Sequence, residues 1–353
     1  MPLYPLYALL FLDAGVSAGE LSLLFGLWSV TGLVAEVPAG LLADRWSRRG
    51  VLFLAGVLQA AAFVVWTVAP STGAFALGFV LWGLAGAGTS GTAEAVVHDG
   101  LAEVGAAGCF ARVNAAMTAA ELLVQVPTAL AATALHALGG FALVGWVSAA
   151  LCLAAAGLAL RFPGATVDGG DDDDPSPGPG AALRRPALLA AVVAVALVGG
   201  LDGMEEYFPV LVAERGVPAL AVPTAVLVVS LAGAAGAALG GRLVRPPGRL
   251  LGALLVAAGA GLLLAAATAG LLVVAALGVA YGVYLAVLVA AEAELQRRIS
   301  GPYRATITSV AGVGVELSSL LVFAAWACGG SGAVALLVLA VVPAVAVGLR
   351  RRC

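Results

Sequence analysis

Carboxylic acids inside long apolar stretches are the side chains of this sequence best suited to chemistry. Glu121 and Glu316 each fall near the middle of such a stretch, and Asp202 lies past the middle of another. Apolar surroundings disfavour the ionised form of a carboxyl group, so a carboxyl at that depth can hold and release a proton. These three residues are therefore candidates for proton binding.

Other acidic residues lie closer to the ends of the apolar stretches. Glu36 and Glu94 occupy the third of their stretch that is nearest to arginine-rich sequence, and they are further candidates for binding a proton or a substrate. Four more lie within reach of the membrane interface, and we interpret them as carboxylates that extend to interfacial water. These four are Glu205, Glu206, Glu292 and Glu294.

The composition indicates an integral membrane protein. Hydrophobic residues make up 62% of the 353 residues and charged residues only 10%, which is outside the range of soluble globular domains. No cysteine or histidine has a second ligand at metal-binding spacing, and no nucleotide-binding loop or catalytic triad is present in the sequence. We therefore expect no cofactor, no metal, no nucleic-acid partner and no enzymatic activity.

Arginine is distributed unevenly along the chain. There is no lysine, and sixteen of the seventeen arginines fall in alternate loops or at the C-terminus, with Arg215 as the exception. Short arginine-rich loops stay in the cytoplasm, so we expect a plasma-membrane protein with a cytoplasmic C-terminus. With about 20 apolar residues per span, the chain is predicted to be all-α with twelve transmembrane helices. The predicted spans are 1–13, 20–43, 51–70, 74–97, 108–134, 139–161, 187–212, 221–243, 249–269, 270–291, 304–328 and 331–349.

A polar low-complexity segment and an internal repeat divide the chain. Residues 162–186 contain four consecutive aspartates and a run of prolines and glycines, which predicts a disordered cytoplasmic linker. It would join two six-helix halves, 1–161 and 187–353. Gly40 recurs as Gly240 at an offset of 200 positions, and Asp13 is matched by Glu214 at an offset of 201. This indicates a parallel duplication, the arrangement of two transporter halves related by an axis along the membrane normal.

A short cationic turn connects the second and third predicted spans. Residues 40–50 read Gly-Leu-Leu-Ala-Asp-Arg-Trp-Ser-Arg-Arg-Gly. This turn resembles the signature loop between helices 2 and 3 of the major facilitator superfamily, with Ser47 at a position that is more often glycine. Residues 36–40 and 90–99 resemble helices 2 and 4 of bacterial members, and residues 304–309 resemble the beginning of helix 11.

The resemblance implies a cytoplasmic gate and a central cavity. Asp44 would cap the positive N-terminal end of helix 11, and Arg48 would pair with an acid at the inner end of helix 4, for which Asp99 is placed. Helices 1, 4, 7 and 10 line the cavity in this superfamily, so the deep tyrosines Tyr281 and Tyr284 are candidate substrate contacts. The gate residues implied in this way are Gly40, Asp44, Arg45, Arg48, Arg49 and Asp99.

These observations predict a monomeric secondary transporter in the lipid bilayer. It would move a small-molecule solute by alternating access, with coupling to protons. The fifth span lacks the Gly-Pro signature of drug:proton antiporters, so the substrate and the direction of coupling stay open. Two other classes remain: a polytopic enzyme acting on lipid, disfavoured by short cytoplasmic loops without a paired His/Asp cluster, and a non-transporting sensor with the same fold.

The first apolar run is too short to cross a membrane. Residues 1–12 would extend about 18 Å as a helix, against a hydrocarbon core of about 30 Å. The match of Asp13 with Glu214 places the residue equivalent to Ala187 roughly fourteen positions before Met1. We therefore expect an N-terminally shortened transporter, whose first helix begins near the middle of the membrane and ends by Asp13.

Overall fold

The computed structural model describes residues 1–90, 92–162, 186–299 and 304–350. These residues form helices and turns, and no strand occurs among them. Nine helices of this described part are long and apolar enough to cross a membrane. The predicted all-α, multi-pass membrane class is therefore confirmed, whereas the count of twelve spans remains a prediction.

Serine side chains fix the beginnings of three helices in the first half of the chain. Ser17, Ser47 and Ser71 each accept a hydrogen bond from a backbone N–H group in the first turn of the helix that follows. The predicted fourth span, 74–97, is divided between two helices. The helices are α1 (Tyr7–Asp13), α2 (Ala18–Arg45), α3 (Arg48–Val68), α4 (Thr72–Thr89), α5 (Thr92–Glu103) and α6 (Phe110–Ala159).

The second half differs from the sequence prediction at its first span. The predicted span 187–212 is not one α-helix, because a 3₁₀ segment, Leu201–Tyr207, separates two shorter helices. A second 3₁₀ turn, Ala219–Ala221, precedes the next helix. The helices are α7 (Pro186–Gly200), α8 (Phe208–Glu214), α9 (Val222–Gly240), α10 (Gly248–Ala267), α11 (Leu271–Arg298) and α12 (Arg304–Gly348).

The two longest helices, α6 and α12, are each interrupted by a pair of glycines. Gly139 and Gly140 have non-helical dihedral angles in α6, and Gly329 and Gly330 have nearly the same angles in α12. The second glycine of each pair has a positive φ, 60° and 59°, which a residue with a Cβ adopts only with strain. Each break lies where the sequence predicts one span to end and the next to begin.

The chain divides into two compact units, Met1–Asp172 and Asp173–Cys353. In the first unit, α2 and α3 both pack against α4, and α3 also packs against α6. Aromatic rings fill the centre of this unit: Phe11 stacks on Phe75 with ring centroids 3.9 Å apart, and Trp66 meets Phe79 edge to face at 5.0 Å. These large side chains supply much of its buried apolar surface.

In the second unit, α9 packs against α11 and α7 packs against α12, while α10 contacts both α11 and α12. The sequence echo around Asp13 and Glu214 corresponds to a repeated backbone conformation in the two units. Helices α1 and α8 have seven residues each and are followed by left-handed glycines, Gly15 at φ 89° and Gly216 at φ 85°. Helix α1 ends at Asp13, as expected from the sequence.

Candidate functional site

The 3₁₀ segment between α7 and α8 carries the half-buried acidic residues Asp202 and Glu205. Glycines allow α7 to approach α12 so closely that a Cβ on Gly199 would lie 2.6 Å from a methyl carbon of Val315. Pro209 then lies in the first turn of α8; it has no N–H group to donate, which suits that position. A discontinuous helix of this kind leaves polar groups within the membrane-length part of the chain.

Two carboxyl groups of this segment meet one tyrosine of α11. The Tyr281 hydroxyl lies 3.1 Å from Asp202 Oδ1 and 3.0 Å from Glu205 Oε2. Residues i and i+3 of a 3₁₀ helix lie directly above one another, which is why both carboxyls reach the same hydroxyl. The Tyr281 ring is only 4% exposed and packs edge to face against Phe208, with centroids 4.9 Å apart.

Counting hydrogens shows what this cluster requires. A phenol hydroxyl carries one hydrogen, and an ionised carboxylate only accepts. If Asp202 and Glu205 were both ionised, one of the two contacts of Tyr281 would join two oxygens without a hydrogen between them. No arginine forms a salt bridge with either carboxyl among the described residues. One additional proton on Asp202 or Glu205 gives each contact a donor, so the three oxygens suit a site for a single proton.

Tyr284 has a different environment from Tyr281. Its side chain is fully buried, and its hydroxyl donates a hydrogen bond to the carbonyl oxygen of Val198 at 3.0 Å. That carbonyl belongs to the last turn of α7, where carbonyl groups lack a partner within the helix. The contact therefore favours a structural role for Tyr284, at the end of α7 and next to the 3₁₀ segment that carries Asp202.

The arginine-rich turn between α2 and α3 contains an ion pair. Arg48, in the first turn of α3, pairs with Asp99 of α5, and the two side chains are 22% and 29% exposed. Cations are disfavoured at the N-terminus of a helix, and the carboxylate of Asp99 offsets that cost. Arg45 and Arg49 are exposed on either side. Asp99, which the sequence predicts as the partner of Arg48, is thus in contact with it.

The sequence match agrees with this geometry. The sequence model of the Major Facilitator Superfamily matches residues 1–323. The chain belongs to this superfamily. Membership supports membrane transport as the activity of the chain. No curated protein matches the sequence.

Solved transporters share the fold of this facilitator. A bacterial homologue of the human lysosomal transporter Spinster, inward-facing and occupied, is 16% identical with a TM-score of 0.70, covering 99% of this chain and 88% of that one. The nucleoside transporter NupG is 14% identical with a TM-score of 0.69, covering 96% and 90%. A bacterial homologue of the iron transporter ferroportin is 16% identical with a TM-score of 0.68, covering 98% and 92%. At these identities the likeness concerns the fold.

The remaining candidates of the facilitator are not brought to the cluster. Glu36, Glu121 and Glu316 are exposed on the surface of the unit that carries each of them. The side chains of Asp44 and Glu94 lie outside the described part of the structure. The predicted cap of Asp44 on the span 304–328 therefore stays a prediction, as does the role of Glu94. Gly40, in contrast, is described and exposed.

Two of the carboxylates interpreted as interfacial have quite different contacts. Glu294 fits that interpretation, because it pairs with Arg297 and Arg298 at the end of α11, each at 2.9 Å. For Glu205 the interpretation is wrong, since its carboxyl group forms a hydrogen bond with the hydroxyl of the buried Tyr281. The sequence signal that could have shown this is the glycine-rich stretch before Asp202, which is typical of an interrupted helix.

The Arg48–Asp99 pair allows a test of the gate. We expect Arg48→Ala to impair transport while the folded protein persists, because a partly exposed pair contributes about 1 kcal/mol or less to stability. Combining Arg48→Asp with Asp99→Arg should restore part of the transport by rebuilding the pair in reverse. Uptake rates and yields of folded protein measure both effects. Additive losses in the swapped variant would contradict a gating role for this pair.

Proposed function

We propose that this facilitator is a secondary active transporter that moves a small solute across the plasma membrane by alternating access, coupled to protons. Family membership and the fold support a transporter rather than an enzyme. The observation that carries the coupling is the contact of one buried hydroxyl, Tyr281, with the two carboxyl groups of Asp202 and Glu205. The protein works as a monomer in the bilayer.

The location of the cluster suits a proton that must be taken up and released during a cycle. Asp202 and Glu205 lie on the 3₁₀ segment, whose hydrogen-bond geometry is poorer than that of an α-helix, while Tyr281 lies on the continuous helix α11. A small displacement of the segment relative to α11 separates the carboxyls from the hydroxyl. The cluster then loses its shared hydrogen bond, and the extra proton is free to leave.

The twelve-span architecture belongs to the same proposal. The breaks at Gly139–Gly140 and Gly329–Gly330 divide two of the nine membrane-length helices of the described chain, which gives eleven spans. The seven-residue helix α1, too short to cross the membrane by itself, is counted as the first of the twelve helices. The halves are 1–161 and 187–353, joined by residues 162–186. The repeated glycine breaks support a duplicated origin of the halves, which is the usual basis of rocking motions in such transporters.

Cysteine labelling tests the orientation. In a variant without native cysteines, Ser71→Cys should react with an impermeant maleimide from outside the cell, and Asp172→Cys should react only after the membrane is made permeable. The expectation follows from the arginine distribution, which places the linker and the C-terminus inside. Labelling of position 172 in intact cells would contradict this topology, because it would place the linker outside the cell.

Transport in proteoliposomes tests the function. A panel of radiolabelled solutes is offered with an imposed pH gradient, and the solute that accumulates is measured again after a protonophore has collapsed the gradient. We expect accumulation to disappear with the gradient and also in the Asp202→Asn variant. Glu294→Gln, which changes a carboxylate that already has arginine partners, is the matched control and should transport normally. Uptake that does not respond to the gradient would indicate a uniporter.

A further inference from the structure

The two units differ in how equivalent helices approach the arginine-rich turns. In the second unit α9 stays in contact with α11 to its end: a Cβ built on Gly236 would overlap the carbonyl of Gly282, and one on Gly240 would overlap the backbone of Ala286. No side chain and no lipid can enter between these helices. Their small residues allow the two backbones to touch.

In the first unit the equivalent helices diverge. Helices α2 and α4 touch near Thr31, since a Cβ on Gly83 would lie 2.9 Å from the Thr31 Cβ atom. Closer to the arginine-rich turn the contact is lost, because nothing lies within 4 Å of a Cβ built on Gly40 or on Gly86. The space between the two helices therefore opens towards the turn.

A groove occupies this opening. Its volume is about 640 Å³ with the open side included, and its walls come from α2, α3 and α4. The groove follows α2 over eight residues, from Ala35 to Leu42, whose first and last Cα atoms lie about 10 Å apart in a helix. All of its lining side chains are aliphatic or glycine. They include Ala39 and Leu42 of α2, Leu54 and Leu58 of α3, and Leu84 and Gly88 of α4.

Cationic and aromatic side chains lie just beyond the end of the groove. Arg45 and Trp46 follow the groove residue Leu42 within about one helical turn. Arg49 lies in the first turn of α3, just before the α3 residues that form the opposite wall of the groove. Trp46 is 59% exposed, and tryptophan prefers the interface between hydrocarbon and water. Unlike Arg48, neither Arg45 nor Arg49 forms an ion pair with any side chain that the structure describes.

We propose that this groove binds one acyl chain of an anionic phospholipid, and that Arg45 and Arg49 hold the phosphate of its headgroup. An open aliphatic groove in membrane-length helices suits a hydrocarbon chain. Two guanidinium groups at its end, neither in an ion pair with a described side chain, suit a phosphate, which they bind in bidentate geometry. The occupant is therefore a lipid of the leaflet that faces the arginine-rich turns. This site is separate from the Asp202–Tyr281–Glu205 cluster and does not depend on proton coupling.

The charge at the groove end predicts a preference among lipids. A basic residue near an anionic lipid surface contributes about 1 kcal/mol, so removing both arginines should weaken binding of an anionic lipid about thirtyfold. A zwitterionic lipid of the same chain length should lose much less. Filling the groove should instead reduce the binding of both lipids.

Photolabelling of the full chain tests this proposal. Protein in phosphatidylcholine vesicles receives a small fraction of phosphatidylglycerol, or of phosphatidylcholine, with a diazirine in its acyl chain, and labelled peptides are mapped by mass spectrometry. We expect phosphatidylglycerol to label residues 35–42 and 51–58, with a large loss in the Arg45→Gln/Arg49→Gln variant. The repeat supplies the control, Arg245→Gln/Arg249→Gln, in which labelling of the groove should be unchanged.

A second variant separates the site from effects on folding. Ala39→Phe fills the open groove without removing charge, and it should reduce labelling of the groove by both lipids while the protein still elutes as a folded species. Equal labelling by the two lipids in the wild type, or groove labelling that survives both variants, would overturn the proposal. So would the absence of any label in the groove, which would indicate that α2 and α4 close upon each other in the bilayer.

Discussion

A protonated carboxyl group should be visible by infrared spectroscopy in the purified protein at neutral pH and should disappear in the Asp202→Asn/Glu205→Gln variant. The reason is the hydrogen count at Tyr281, whose two contacts with carboxyl oxygens need one proton more than the phenol supplies. The carbonyl stretch of a protonated acid is distinct from that of a carboxylate and shifts in heavy water. This measurement requires no knowledge of the substrate.

The single variants divide the contributions of the cluster. Tyr281→Phe removes the shared hydroxyl but leaves both carboxyl groups. The frequency of the band should therefore shift, because the protonated acid changes its hydrogen-bond partner, but the band should not vanish. Asp202→Asn and Glu205→Gln each supply an amide donor in place of the extra proton, and either should abolish accumulation driven by a pH gradient. Glu294→Gln should leave the band unchanged, since that carboxylate is paired with arginines. A band that survives the double variant would place the proton elsewhere.

Much of the helical architecture could be predicted from hydropathy alone, because a membrane-length apolar run leaves few alternatives to a helix. The positions in the sequence at which span five gives way to span six, and span eleven to span twelve, could also be predicted. Their geometry could not: at Gly139–Gly140 and at Gly329–Gly330, only two residues with non-helical dihedral angles separate one helix from the next. Hydropathy does not report how tight a turn is.

The candidate site was only partly predictable, and the reason lies in its secondary structure. Asp202 and Tyr281 could be identified because each is a polar group deep in an apolar stretch. Their contact could not, because the sequence predicts one helix over 187–212 and does not report the 3₁₀ segment that brings Asp202 and Glu205 to the same hydroxyl. Glu205 was assigned to the interface because it lies one turn further out than Asp202. Local backbone geometry, and not residue type, decides which carboxyl reaches the hydroxyl.

The mid-span positions of Glu121 and Glu316 illustrate a second limit. Depth along a helix can be counted from the sequence, but the direction in which a side chain faces depends on packing. Both side chains are exposed on their own units, so neither is enclosed by the helices of its unit in the way that Glu205 and Tyr281 are. They stay candidates for contact with a substrate or proton under the proposed function.

Substitution of Gly236 by alanine should have the largest effect on stability of any single change considered for this transporter. A Cβ at that position would overlap the carbonyl of Gly282, a backbone group that cannot rotate away, so α9 and α11 would have to separate. Overpacking in a well-packed interior costs about 1–3 kcal/mol, and rigid backbone places this site at the upper end. We expect a markedly lower melting temperature, or no folded protein, by fluorescence-detected size-exclusion chromatography after heating.

Gly40 provides the matched comparison, because it lies in the equivalent helix with nothing within 4 Å of its Cβ position. Gly40→Ala should raise stability slightly, since alanine is favoured over glycine inside a helix by about 1 kcal/mol. If α2 and α4 approach one another during the proposed transport cycle, the larger Gly40→Leu should fold normally and yet transport poorly, because the closed state would have no room for the side chain. Normal transport by Gly40→Leu would mean that the opening beside Gly40 persists throughout the cycle, and the glycine of the turn would then have no gating role.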